Sequence, residues 1–155
     1  MSDLEKRLRE AGLELPELYP RNTLHAPFTR IGPMLFISGQ TPVRQGKIAY
    51  RGIVGVDLVL EEAIKAAQLC ALNVLAQAGL ACGGDFQRIR SCARITGYVR
   101  CREDFTEQPK VLDGASEVFV TALAEAGRHA RTAVGASSLP HGVPVEVEAI
   151  FEVAT

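Results

Sequence analysis

Residues 131–150 read RTAVGASSLPHGVPVEVEAI, and the alternation at their end decides how this chain folds. Val143, Val145, Val147, Ala149, Phe151 and Val153 fall on one side of an extended chain, with Glu146, Glu148 and Glu152 on the other. A period of two predicts a strand with one buried face. Leu139-Pro140 marks a turn before it, and Arg131 stands on the strand that leads into that turn. A guanidinium fork suits a two-point grip on a carboxylate. A glutamate beside it can orient a water or carry a proton.

Working outward, residues 87–100 alternate as well. Ile89, Ala93, Ile95 and Val99 are expected inside, with Arg88, Arg90, Arg94, Tyr98 and Arg100 outside. Between the strands lie two helical stretches. The first is expected from an Asp57 cap to Ala78, with Gly79 as a left-handed stop and a buried stripe of Leu60, Ile64, Ala67, Ala71, Val74 and Ala78. The second is expected from Pro109 to Glu125 or Ala126. Both end alike, Ala-Gln-Ala-Gly and Ala-Glu-Ala-Gly, and each is followed by a strand. The repeated unit predicts an α+β fold: a single mixed β-sheet with two long helices on one face.

Upstream, Ser2 and Glu5 form a capping-box pattern for a short helix stopped at Gly12, and Leu15 to Pro20 reads as an extended linker. Shorter strands are expected near 24–30, 34–38 and 47–54, with a Gly32-Pro33 turn. The chain is thus divided into a helix and linker at 1–21 and one domain at 22–155.

The 155 residues are 47% hydrophobic, enough for one substantial core. Seventeen basic and eighteen acidic residues leave a charge of -1, which offers no general attraction to nucleic acid or an anionic membrane. Without an apolar run of membrane length or a signal-peptide core, a cytoplasmic protein is expected. Cys70, Cys82, Cys92 and Cys101 contain no C-x-x-C pair and read as small buried hydrophobes. His25, His129 and His141 lack metal-ligand spacing, so no metal site is expected. His129, just past a helix end, reads as structural.

Two helices can cover only one face of the sheet. On the other, Arg88, Arg90 or Arg94 could meet Glu148 or Glu152 across an interface, or the whole face could be solvated. Alternation alone leaves both readings open. It also leaves Glu146 and Glu148, which share a face, unseparated.

Arg131-x-x-Val134, Leu139-Pro140 and Val145-Glu146-Val147-Glu148-Ala149-Ile150 resemble the closing motif of the YjgF/RidA family of enamine/imine deaminases, also called the endoribonuclease L-PSP family. Phe36-Ile37-Ser38-Gly39-Gln40-Thr41-Pro42-Val43 resembles the same family's strand into Ser-Gly-Gln. The resemblance spans roughly residues 22–154 and marks a divergent branch with an N-terminal extension that could cap or occlude an opening. It implies the chorismate-mutase-like fold, a homotrimer, and hydrolysis of 2-imino or enamine acids to 2-keto acids and ammonia without a cofactor. By that resemblance Arg131 binds the substrate carboxylate and Glu146 positions the water. Ser38 and Gly39 would line the pocket. His25 stands where deaminating members carry tyrosine, Ala133 where they often carry cysteine, and Asp113 near a pocket asparagine. A trimer that captures a small carboxylate or keto acid with little catalysis is the alternative, followed by an endoribonuclease using the arginines of residues 88–100 with His25 and His141.

Overall fold

The computed structural model describes all 155 residues. Its elements are α1 (Asp3–Glu10), β1 (Phe28–Ile31), β2 (Met34–Gln40), β3 (Val43–Arg44), β4 (Lys47–Ile48), α2 (Leu60–Ala81), β5 (Ile89–Arg100), α3 (Gln108–Leu123), β6 (Ala130–Ala136) and β7 (Val145–Val153). The main sheet is ordered β1-β2-β7-β5-β6, antiparallel except for the parallel β5–β6 pair, with β3 and β4 forming a separate hairpin. Both long helices lie on one face, as the repeated unit predicts. A parallel pair needs a crossover connection, and α3 is that connection between β5 and β6.

The strand at 145–153 follows its period of two, and every odd residue from Val145 to Val153 is buried. Opposite it, α2 is nearly dry: Ala63, Ala66, Ala67, Ala71 and Ala78 have no exposed surface. By length and composition α2 could cross a membrane, but 72% of its most apolar window is buried in the protein. Phe119 of α3 and Phe151 of β7 meet edge to face with centroids 5.8 Å apart, which joins the second helix to the sheet's centre.

Several expected boundaries move, each for a local reason. Asp57 does not cap α2; its Oδ2 accepts from Ile53 N at 2.8 Å in the preceding turn, and Val59 is the cap residue. Gly79 does not stop the helix. It lies inside, where the Phe86 ring occupies the space of a side chain, and the positive φ falls instead on Gly83 and Gly84. The strand expected at 24–30 begins at Phe28, and that expected at 47–54 is a strand only at Lys47–Ile48, with Val54 bridged separately to Leu58 and Cys101. In β5 the register with β7 shifts between Ile89/Ser91 and Cys92/Arg94, so Cys92 turns inward and Ala93 outward, against the simple alternation. α3 ends at Leu123, and Ala124, at φ 54°, opens a short 3-10 turn through Gly127.

The thiols behave as small hydrophobes. Burial pushes Cys70 well above its usual range and Cys92 up to about 12. α1 keeps its capping box, with Ser2 and Glu5 bonded reciprocally, and sinks Leu4 and Leu8 into the common core.

α2 and α3 cross with almost no room to spare. A side chain at Gly114 would collide with the backbone of Ile64 and lie 2.9 Å from its Cγ2. Gly114→Ala therefore forces the helices apart, and thermal or urea unfolding is expected to register a loss of about 1–3 kcal/mol. An unchanged midpoint would mean that the crossing has slack.

Candidate functional site

The expected site residues fall into two groups on opposite faces of the sheet. The first lies on the helical side, at the β6 edge. Arg131 is in register with buried Ile95, so its side chain projects toward α3. There Nη1 donates to Asp113 Oδ1 at 2.7 Å and to Ser116 Oγ at 3.2 Å. Asp113 and Ser116 are three residues apart on α3, the spacing that stacks side chains on one helix face.

Behind Ser116 stands His129, its Nε2 at 2.9 Å from the hydroxyl and its Nδ1 at 2.6 Å from the Gly127 carbonyl. A carbonyl can only accept, so Nδ1 carries the proton and Nε2 accepts from Ser116. Burial, with the Arg131 charge as a smaller cause, lowers the His129 pKa and keeps the ring neutral. His129 is thus a neutral, structural ring held between a hydroxyl and a carbonyl. Ala133 shares this face, beside Gly97, and packs against the core.

Arg131 has five N–H donors, and only the two on Nη1 are engaged. Nε and Nη2, the edge that grips a carboxylate, have no partner in the chain, and the side chain is 24% exposed.

The second group lies on the open face. Glu146 is opposite Tyr98 and half-buried, and any side chain at Gly39 would overlap its carboxylate. Burial, helped by the neighbouring Glu148 charge, raises the Glu146 pKa. Tyr98 Oη donates to Glu148 Oε1 at 3.4 Å. Ser38 Oγ donates to the Ala26 carbonyl at 2.7 Å, which fastens the exposed loop carrying His25 to the end of β2. Beside this group runs a groove of about 240 Å³, walled by Thr29, Phe36, Ser38, Arg94, Thr96 and Glu148. The strand's arginines make no ion pair with Glu148 or Glu152 inside the chain. Arg94 donates to Thr132, Arg88 to the Ala154 carbonyl and Arg100 to the Gly142 carbonyl.

The single chain therefore does not bring Arg131 and Glu146 together; the sheet separates them. Of the two glutamates, Glu146 is the one beside Gly39, while Glu148 lines the groove. Sequence reading passed over Ser116 entirely and assigned His129 no part in the site. The one available signal was the spacing of Asp113 and Ser116 opposite the strand that carries Arg131.

The profile of the family described as "YjgF/chorismate mutase-like, putative endoribonuclease" matches residues 5–148. The chain belongs to this family. Protein TCP17 of Trypanosoma cruzi is 36% identical over 146 residues, covering 94% of this chain and 91% of its own. Atu1372 of Agrobacterium tumefaciens, a solved structure of unknown function, is 44% identical with a TM-score of 0.93 over 98% of this chain and 94% of its own. TdcF of E. coli, solved with bound serine, is 22% identical with a TM-score of 0.59 over 90% of this chain and 92% of its own, a likeness of fold. The family match begins within α1, the helix whose leucines enter the core.

The raised pKa of Glu146 has a consequence for stability. The folded chain holds that proton more tightly than the unfolded one, so the contribution is present at low pH and is lost as pH rises through the raised folded value. Glu146→Gln removes the loss. Melting curves across pH are expected to show the variant gaining on wild type at pH 7, with the gain shrinking toward pH 4. A gain that did not change with pH would contradict the assignment.

Proposed function

We propose that the protein hydrolyses reactive 2-imino and enamine acids to 2-keto acids and ammonia, at sites built between copies of the chain in a homotrimer. The observation that carries this reading is the unpaired Nε/Nη2 edge of Arg131, held in place from its other side by Asp113 and Ser116. A small acid's carboxylate fits that edge by two parallel hydrogen bonds.

Assembly is required because Arg131 and Glu146 occupy opposite faces. β6 is an edge strand, and the open face presents Phe36 and Val134 at 38% and 39% exposure beside half-buried Ile150. A neighbouring copy's open face, laid against the β6 edge, brings its Glu146, Ser38 and Gly39 to Arg131. His25, on the loop tied to Ser38, then borders the entrance.

In the reaction, Arg131 fixes the carboxylate and a water attacks the C=N carbon. Glu146 takes the water's proton as the C–O bond forms and the C=N electron pair moves to nitrogen. Returning that proton to nitrogen gives the carbinolamine, and a second transfer through Glu146, from the new hydroxyl to the amine nitrogen, lets the C–N bond break as the C=O forms, releasing ammonia and leaving the keto acid. A carboxylate whose pKa lies above the ordinary range is a better base for this transfer. Imines of this kind hydrolyse unaided, so orientation and one proton relay suffice, and no cofactor enters.

The basic strand fits an RNA-cleaving role less well, because Arg88, Arg94 and Arg100 each donate to an acceptor within the chain.

An assay that generates 2-iminopropanoate and follows its decay tests the reading. Arg131→Ala and Glu146→Gln are each expected to lower the protein-dependent rate by about tenfold or more. Refolding the two variants together is expected to restore roughly a quarter of wild-type activity, since random pairing in a cyclic trimer gives that share of intact interfaces. No recovery would place both groups in one copy's site and overturn the assembly. Binding of keto acids with imine decay at the blank rate would make the protein a capture module instead.

A further inference from the structure

Three contacts fix the His129 ring, and the proposed reaction uses none of them. Phe119 meets it edge to face with centroids 5.7 Å apart, the Gly127 carbonyl takes the Nδ1 hydrogen at 2.6 Å, and the Ser116 hydroxyl lies 2.9 Å from Nε2. Gly127 is itself pinned against α3, where any side chain would collide with the Phe119 carbonyl. The packing of one glycine thereby decides the tautomer: with the proton committed to Nδ1, Nε2 is left with a lone pair.

That lone pair acts on Ser116. A serine inside a helix commonly turns its hydroxyl to the carbonyl four residues back, which here is that of Leu112. Ser116 donates to His129 instead, and its oxygen is presented to Arg131 Nη1 at 3.2 Å. The other acceptor on Nη1 is Asp113, whose side chain is 68% exposed, and an ion pair so open to water holds position weakly. The interior hold on the guanidinium is the hydroxyl.

We infer that His129 is a positioning residue for Arg131: its tautomer directs the Ser116 hydrogen, and the hydroxyl so turned keeps the free guanidinium edge aimed. This rests on the reading of Arg131 as the carboxylate grip. His129 touches no substrate and moves no proton in the reaction. A ligand's carboxylate keeps its charge from ground state to transition state, so aiming the grip changes affinity and leaves kcat alone.

Titration calorimetry with pyruvate on the full chain at pH 8 reads the grip, and turnover of saturating imine reads the chemistry. Ser116→Ala and His129→Ala are each expected to weaken pyruvate roughly fivefold, the size of one neutral hydrogen bond, with kcat held within about twofold. The double variant is expected to be no weaker than Ser116→Ala alone, because His129 acts only through the hydroxyl. In unaltered protein, 15N spectra of the His129 ring are expected to show a protonated Nδ1 and a bare Nε2, a reading that does not depend on His129→Ala folding.

The opposite tautomer, an unchanged affinity in Ser116→Ala, or losses that add in the double variant would each overturn the positioning role. So would a fall in kcat at unchanged affinity. Arg131→Ala separates this role from the reading beneath it. If that variant loses pyruvate while Ser116→Ala keeps it, the grip stands and only the positioning falls. If Arg131→Ala binds pyruvate as wild type does, the grip itself is wrong.

Discussion

The crossing of α2 and α3 on one face of the sheet constrains everything else in this molecule. Alanines with no exposed surface along α2, and Gly114 against the Ile64 backbone, let two helices approach until there is no space for a methyl group. Helices packed this tightly leave the opposite face with no cover from the same chain. The even-numbered residues of β7 and the outer residues of β5 are left to solvent or to another molecule. The separation of Arg131 from Glu146 follows from the same constraint, because a residue on the helical side and one on the open side cannot share a cavity through a sheet.

Electrostatics divides along the same line. On the helical side the groups behind Arg131 form a chain: Asp113 and Ser116 accept from Arg131, His129 accepts from Ser116, and the Gly127 carbonyl accepts from His129. Such a chain holds a guanidinium in one orientation without neutralising its free edge. On the open side the carboxylates crowd one another instead. Glu146 and Glu148 share a face one pleat repeat apart, and their mutual repulsion adds to burial in favouring a protonated Glu146. The orientation of a cation and the proton affinity of an acid are thus prepared separately, each by neighbours that belong to its own side.

Much of this was legible in the sequence because it depends on period. β7 alternates without interruption, and both faces could be assigned from Val143 to Val153. β5 could not be read so simply: two register shifts reverse Cys92 and Ala93, and nothing local marks where a bulge will fall. Asp57 shows how a good cap residue can be diverted, since the turn before α2 takes its carboxylate. Gly79 shows the opposite error, a glycine kept for the ring of Phe86 rather than for its backbone freedom. For the site, the motif singles out Arg131 and Glu146 along the chain, but only topology decides on which side of the sheet each stands.

The N-terminal helix takes its meaning from the same geometry. α1 packs on α3, on the helical side, and Arg7 donates through Nε and Nη2 to the Ala122 carbonyl at 3.1 and 2.9 Å. That carbonyl belongs to the last turn of α3, where orphan acceptors and the negative end of the helix dipole favour a cation. The chain breaks immediately afterward, at Ala124 with φ 54°, then passes through Gly127 and His129 to reach Arg131. Burying Leu4 and Leu8 contributes about 1.5–3 kcal/mol each. The helix therefore braces the last turn of α3, just before the bend that leads into β6 and Arg131.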